Sequence, residues 1–313
     1  MFSSVRQTIL ILVMIQICSF NCNSLKNSLT EVSELCSRYD LIFLQEIWLG
    51  KFELSSLNSI HNDFWGLGVT AFDSSNALLK GRPYGGIAIL WRKTLQPSIS
   101  VKAINERIMQ INVTTDIGLV SLLNVYLPTD YRDMDSLDEF GMCIGQLAAV
   151  LDDISCSTCY YGIIGDCNAN SYGSKFYTEL SAFCIDQGLV ISDVILLESG
   201  TSNVYTFVSA AHGSTSWIDH CLSSSPLHAR IQSISVLCDI TVSDHMPLVI
   251  ELQLQPTAVV APIPEPPRPP KLSWKSASVR SITAYNDLIL QHLVSFYSDI
   301  IDDMYINCLA NCV

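Results

Sequence analysis

The stretch that decides the fold is "YYGIIGDCNAN", residues 160–170. Its first five residues, Tyr160 to Ile164, are apolar, aromatic or β-branched apart from one glycine, and predict a buried strand. The run halts at Gly165 and then presents Asp166 and Asn168. Alternate residues of an extended segment share a face. Asp166 and Asn168 are therefore expected to point together from one edge of a sheet, with Cys167 turned the opposite way into packing.

The same pattern recurs on either side. "ICSFNCN" (17–23) reads as a strand that ends in Asn21 and Asn23. "LIFLQEIWL" (41–49) reads as a second buried strand with Glu46 at its end. "YGGIAILWRK" (84–93) is a third, opened by a glycine pair. "RIMQINVTTDIGLVSLLNVYLP" (107–128) predicts two strands joined at the Asp116-Ile117-Gly118 turn, the second delivering Asn124 and Tyr126. Short strands are expected near 204–208 and 217–223, with Asp219 at an end of the latter, and a final strand in "MPLVIELQL" (246–254), just after Ser243-Asp244-His245. Helices are expected from the apolar spacing of Leu25, Leu29, Val32 and Leu35, across 135–154, and across 176–187. Strands and helices alternate early and strands dominate later, which predicts a layered α/β domain with mixed sheets.

Bulk composition sets limits. The chain has 313 residues, 49 % of them hydrophobic and only 15 % charged, so it can bury a large core. The net charge of −13 argues against a protein that coats nucleic acid, because such binding rests on Lys and Arg neutralising phosphates. Twelve cysteines are scattered mostly through apolar runs, where reduced cysteine acts as a small hydrophobe. The pair Cys156-Ser-Thr-Cys159 lacks a second Cys or His pair at zinc-like spacing. A reducing, nuclear or cytoplasmic setting is expected, with no membrane partner. The apolar segment "VRQTILILVMIQICS" (5–19) has the character of a signal peptide, but it runs into the first strand and is read as strand. The organisation expected is a lead-in over 1–16, one domain over 17–255, a Pro-rich linker over 256–272 and a helical tail over 273–313. The tail carries an apolar face through Leu288, Leu290, Leu293, Val294, Tyr297 and Ile301.

Strand ends on one side of a sheet converge. The resulting cleft holds carboxylates at 46, 166, 219 and 244, amides at 21, 23 and 168, one phenol and one imidazole. Oxygen-rich ligation suits Mg²⁺ or Mn²⁺. Amides and a phenol can hydrogen-bond phosphoryl oxygens, and a histidine beside an aspartate is held in one orientation. Together these groups describe metal-assisted attack of water on a phosphodiester.

The motifs "SFNCNSLK", "LIFLQEIWL", "GGIAILWRK", "NVYLP", "IIGDCNAN", "SWIDHCLSS" and "VSDHMPLVIEL", in that order, resemble those of the endonuclease/exonuclease/phosphatase superfamily. The "SWIDH" and "GDCNAN" strings and the Pro-rich tail leading to "PKLSWKSA" are most similar to the endonuclease domain of non-LTR (LINE-type) retrotransposons. The resemblance implies a four-layer α/β sandwich, two mixed β-sheets packed face to face with helices outside. It implies a metal side made of Glu46, Asn21 and Asp244, with Asn23 standing where relatives often have Asp. It implies that Tyr126 contacts the scissile phosphate, Asp166 handles the attacking water, Asn168 stabilises developing charge, and Asp219 orients His245. The implied substrate is target duplex DNA, nicked to prime reverse transcription, and a reverse transcriptase module would be expected in the full element. The same superfamily also includes enzymes acting on RNA, inositol phosphates and lipid headgroups, and an inactive relic is the third reading. Trp217 takes a position that is often basic in relatives. Arg82, Arg92, Lys93 and Arg107 are the candidate phosphate contacts. His220 is expected to face away from the cleft, and His212 and His228 to lie at the surface.

Overall fold

The computed structural model describes residues 14–71, 84–198, 204–209 and 211–257, together with Thr283 and Asp287. Compactness divides the chain into two units, Met1–Val259 and Val260–Val313. In the second, Thr283 and Asp287 are helical. The linker beyond Thr257, the apolar face expected of the tail, Arg82, Cys308 and Cys312 lie outside the described residues.

Two six-stranded sheets form the first unit. Sheet one contains β1 (Ile15–Asn21), β2 (Leu41–Gln45), β3 (Phe64–Val69), β4 (Ile87–Arg92), β13 (Ile231–Val236) and β14 (Leu248–Leu252), in the order β13-β14-β1-β2-β4-β3. Sheet two contains β5 (Ile99–Ala103), β6 (Ile108–Thr115), β7 (Gly118–Tyr126), β8 (Tyr160–Asp166), β9 (Leu189–Ile191) and β12 (Asp219–Ser224), in the order β5-β6-β7-β8-β12-β9. A small hairpin joins β10 (Phe207–Ser209) to β11 (Ser214–Ser216). Each large sheet has one parallel pair, β1 with β2 and β7 with β8, and is otherwise antiparallel. The helices α1 (Leu29–Arg38) and α2 (Met134–Ser155) are the crossovers of those two parallel pairs. The remaining helices are α3 (Lys175–Asp186), α4 (Ser192–Glu198) and α5 (Ser225–His228).

Period-two alternation builds the layers. Ile15 and Ile17 of β1, Leu41 and Phe43 of β2, Val120 and Leu122 of β7, and Ile164 of β8 all pack in one core between the sheets. The opposite faces carry Cys18, Phe20, Ile42 and Leu44 against α1, and Leu123, Val125 and Ile163 against α2 and α3. Burial on both faces is why these strands read as continuous apolar runs. Each such Leu, Ile or Phe removed from water contributes about 1.5–3 kcal/mol. The helices begin where the sequence provides caps: the Asp133 carboxylate accepts from Ser136 N–H to start α2, and Ser174 Oγ accepts from Tyr177 N–H to start α3. The result is the four-layer sandwich that the resemblance implied. The ten described cysteines are free, and seven of them are buried.

Alternation also decides what reaches the seam between the sheets. Ser19 and Asn21 follow Ile17 on the inner face, Gln45 follows Phe43, and Asn124 and Tyr126 follow Leu122. Gln45 Nε2 donates across the seam to Asn124 Oδ1 at 2.7 Å, and Asn124 Nδ2 donates to the Leu44 and Ala88 carbonyls. These buried amides tie one sheet to the other directly beneath the cleft.

Candidate active site

One edge of the sandwich collects the polar groups. Parallel strands β1, β2, β7 and β8 end there. Antiparallel strands β12 and β14 start there, since Asp219 is in register with Asp166 and Leu248 with Ser19. Asp219 therefore opens a strand rather than closing one. His245 precedes β14 and sits in an isolated bridge with Phe207.

Glu46 lies one residue beyond β2 with φ 52°, in the left-handed region. Ile47 and Trp48 N–H groups donate to the Gly86 and Gly85 carbonyls, which fixes this turn. A Cβ at Gly86 would meet Val69 O at 2.8 Å, so the glycine is what permits the approach. Three donors hold the Glu46 carboxylate: Asn21 Nδ2 at 3.1 Å and Tyr126 OH at 2.9 Å on Oε1, and Trp48 Nε1 at 3.1 Å on Oε2. Burial first, then the charges of Glu46 and Asp166, pushes the Tyr126 phenol well above its usual range, so it stays a neutral donor.

Asn21 Nδ2 also donates to Asp166 Oδ2 at 2.9 Å, linking the two sheets' carboxylates through one amide. Asp166 Oδ1 accepts from the Asn168 backbone N–H at 2.9 Å. This is an Asx turn, and Asn168 has φ 50°. The expected strand-like alternation of Asp166 and Asn168 is thus corrected. The strand ends at Asp166, and a side-chain-stabilised turn brings Asn168 back to the cleft. Asn168 Nδ2 gives one hydrogen to Leu127 O at 2.9 Å and keeps a second. Cys167 is fully buried against the outer helices, as its alternation implied. Asn23, Glu46 and Asn168 all hold left-handed backbone that non-glycine residues adopt at a cost of order 1–3 kcal/mol each.

His245 Nδ1 bonds Asp219 Oδ2 at 3.0 Å, and Nε2 lies 3.8 Å from Asp166 Oδ2. Burial opposes a charge on this ring, but Asp219, then Asp166 and Asp244, outweigh it and push His245 up to about 10. Burial also raises Asp166, with the charge of His245 partly offsetting it. The Nδ1 bond to Asp219 fixes the orientation of the ring, and the surrounding carboxylates favour its charged form. The Phe207 ring covers His245 edge-on at 5.0 Å. Asp244 is braced by Asn23 Nδ2 at 3.3 Å on Oδ1. Asn23 N–H in turn donates to Asn21 Oδ1 at 3.2 Å.

Asp166, Asp219 and His245 bring potential ligand atoms within 4.8 Å of one another. That trio differs from the metal side that the resemblance implied. Its histidine is hydrogen-bonded to Asp219 and surrounded by carboxylates that raise its proton affinity, which suits holding a proton better than holding a cation. Glu46, Asn21, Asn23 and Asp244 instead offer only carboxylate and amide oxygens, and Glu46 and Asp244 are half-exposed toward the cleft. An all-oxygen set with room for waters fits a hard divalent cation.

The cleft measures about 740 Å³ and includes Glu46, Asp166, Asn168, Asp244 and His245 in its wall. Arg132, Lys175, Tyr172 and Phe207 also line it. Of the candidate phosphate contacts, Arg92 pairs with Asp40 and donates to the Cys36 and Tyr39 carbonyls. Lys93 donates to Asn62 O. Arg107 pairs with Glu139 and donates to Tyr126 O. All three are taken up by the fold. His228 is half-buried and bonds Ser192 Oγ at 2.9 Å, so it is not a plain surface histidine, whereas His212 is exposed.

Sequence reasoning missed Trp48 and Thr206, and named Ser243 without a role. Trp48 lies two residues past Glu46 inside the quoted run. Ser243 Oγ donates to Asn21 O at 2.8 Å, and it sits within the Ser-Asp-His string. Thr206 Oγ1 accepts from the Ile218 and Asp219 N–H groups, both at 3.1 Å, and no local pattern marks it.

Solved structures share this architecture. An AP endonuclease from Leishmania major is 12 % identical, with a TM-score of 0.63 over 76 % of this chain and 87 % of that one. A 3′ phosphatase from Neisseria, bound to a product DNA hairpin, is 20 % identical, with a TM-score of 0.60 over 76 % and 99 %. The endonuclease domain of TRAS1, a telomere-specific non-LTR retrotransposon, is 15 % identical, with a TM-score of 0.54 over 77 % and 99 %. At these identities the likeness shows the fold. No curated relative matches by sequence. The sequence does match a family profile from residue 18 to residue 245, a span that reaches from the first central strand to the histidine of the cleft. That span carries every polar group gathered at the sandwich edge, and the chain belongs to the endonuclease/exonuclease/phosphatase family.

Proposed function

We propose that this chain is a divalent-cation-dependent DNA endonuclease that nicks target DNA for a non-LTR retrotransposon. The observation that carries the hydrolytic part is the linked set Tyr126–Glu46–Asn21–Asp166, with His245–Asp219 beside it, in a cleft wide enough for a phosphodiester. Glu46 and Asp244, braced by Asn21 and Asn23, would hold Mg²⁺ or Mn²⁺. The bound cation supplies Lewis acidity at phosphoryl oxygens and offsets their charge. Asp166 receives the proton of the attacking water at Oδ2, the oxygen that Asn21 orients. Burial makes it a stronger base than a surface carboxylate. The spare hydrogen of Asn168 Nδ2 and the charged His245 ring stabilise negative charge on the phosphoryl group. Asp219 keeps that ring turned toward Asp166.

The DNA assignment is supported by the motif strings in the sequence and by the fold shared with the TRAS1 domain and with a Neisseria phosphatase bound to DNA. One observation favours a smaller phosphodiester. The net charge is −13, and Arg92, Lys93 and Arg107 are consumed by internal contacts. Nicking of supercoiled plasmid by the full chain decides between them. The expected result is Mg²⁺-dependent nicking that chelator abolishes and that Asp166→Ala and His245→Ala each lower by about 10²-fold or more. Folded protein that leaves plasmid intact but cleaves a small phosphodiester would overturn the DNA reading.

A further inference from the structure

On the outer face of β12, one residue past Asp219, His220 is fully buried. Its Nδ1 bonds Asp193 Oδ2 at 2.8 Å, and its Nε2 bonds the Ala169 carbonyl at 2.8 Å. A carboxylate and a carbonyl only accept, so both ring nitrogens donate. Asp193 is itself fully buried at the start of α4, and its Oδ1 accepts from Cys221 N–H at 2.8 Å. The Trp217 indole stacks near the imidazole at 6.3 Å with planes 21° apart, and the Tyr177 ring lies 5.8 Å away on a tilt. Such a ring has one orientation open to it.

The acceptor it holds is the carbonyl of the residue that follows Asn168. The rest of that turn is stitched to Trp217 and Ile218, the residues that lead into β12. Cys167 N–H donates to Ile218 O at 3.0 Å, Ser171 N–H to Trp217 O at 3.1 Å, and Trp217 N–H to Asn170 Oδ1 at 3.3 Å. Asn168 sits in left-handed backbone within this turn, a conformation that persists only where surroundings impose it. Among the described residues, Ala169 O is where a side chain from the neighbouring strand, His220, grips the turn.

We propose that His220 is a positioning residue for the cleft: pinned by Asp193, it clamps the Ala169 carbonyl and so sets the direction of the Asn168 amide. It touches no substrate and acts through the turn at 166–170. For its kinetic arm alone, the inference rests on the proposed phosphodiester hydrolysis.

The test uses the full chain. His220→Phe keeps a ring and removes both donors. His220→Gln keeps an amide that can reach one acceptor, and Asp193→Asn keeps shape without charge. The expected result for His220→Phe is an unchanged KM and a kcat lower by about 10- to 100-fold, the scale of a misplaced catalytic group. His220→Gln recovers part of that loss. With Asn168→Ala already present, His220→Phe lowers kcat by less than about twofold, because the coupled residue is gone. An equal loss in both backgrounds would mean that His220 only supports the fold, and it overturns the proposal. A second readout needs no turnover. Amide exchange at residues 167–171 rises by about tenfold or more in His220→Phe, while exchange elsewhere in β8 is unchanged. If no phosphodiester is cleaved, that failure belongs to the proposed function, and the exchange data alone decide this inference. Exchange at 167–171 that stays at the wild-type rate overturns it. If His220→Phe does not fold, His220→Gln and Asp193→Asn carry the same comparisons.

Discussion

At the scale of single residues, the cleft depends on hydrogen bonds that fix carboxylates and on one imidazole kept charged. His245 is raised from its ordinary 6.5 to about 10, chiefly by Asp219 against the opposing effect of burial. The raised value means that its stabilising contribution is full below about pH 6.5 and is lost as pH climbs through about 10. Asp219→Asn should therefore drop the His245 pKa by at least about one unit, read by NMR titration of the ring. An unchanged pKa would mean that Asp166 and Asp244 alone hold the proton. Much of this site was legible because the residue types are unusual at the ends of apolar runs: Asn21, Glu46, Tyr126, Asp166, Asp219 and His245 were all marked in the sequence. The bonds among them were not. Nothing local says that Asn21 bridges Glu46 and Asp166, residues that lie 25 and 145 positions away. Nor does a one-dimensional pattern show that Asn168 reaches the cleft by an Asx turn, since alternation and a turn both serve a two-residue spacing.

At the scale of elements, the buried strands were readable because they are apolar on both faces. The ones that escaped were the edge strands. Trp65 and Leu67 of β3 are exposed, and Gly66 and Gly68 interrupt its pattern. β13 carries a register shift between Ile231 and Ser233 that breaks its alternation. Within β8 the close approach to β7 is set by Gly165, whose φ is 151° and whose Cβ would meet Val125 O at 2.1 Å. No flexible side chain lies in the way; the obstacle is backbone. Gly165→Ala is expected to destabilise the domain by more than about 3 kcal/mol, measured by urea unfolding. A loss below about 1 kcal/mol would show that β7 and β8 can separate without harm to the sheet.

At the scale of the whole molecule, the charge balance opposes the polyanionic substrate proposed for it. Apart from the His245 imidazole, Arg132 and Lys175 are the cations in the described wall of the cleft. Two phosphate contacts give a log–log salt slope for DNA affinity of about −2, far shallower than that of proteins that use six to ten contacts. Measuring KM for duplex DNA between about 50 and 200 mM salt tests this. A slope steeper than about −5 would reveal a basic surface elsewhere on the chain. The overall architecture was legible as mixed layers, but which strands are neighbours was not, because pairing joins residues far apart in sequence. β1 is the clearest case. It lies between β14 and β2 in the middle of sheet one, so cleavage after Cys18 or Ser19 would cut through a central strand. Its placement also sets a clock on biosynthesis. Ser19 leaves the ribosome early, but its partner Leu248 is made about 230 residues later. At about 5–20 residues per second, the nascent chain carries that half-paired apolar strand for roughly 10 to 50 s. Sheet one, and with it the approach of His245 to Asp166, can be completed only once almost all of the domain has been synthesised.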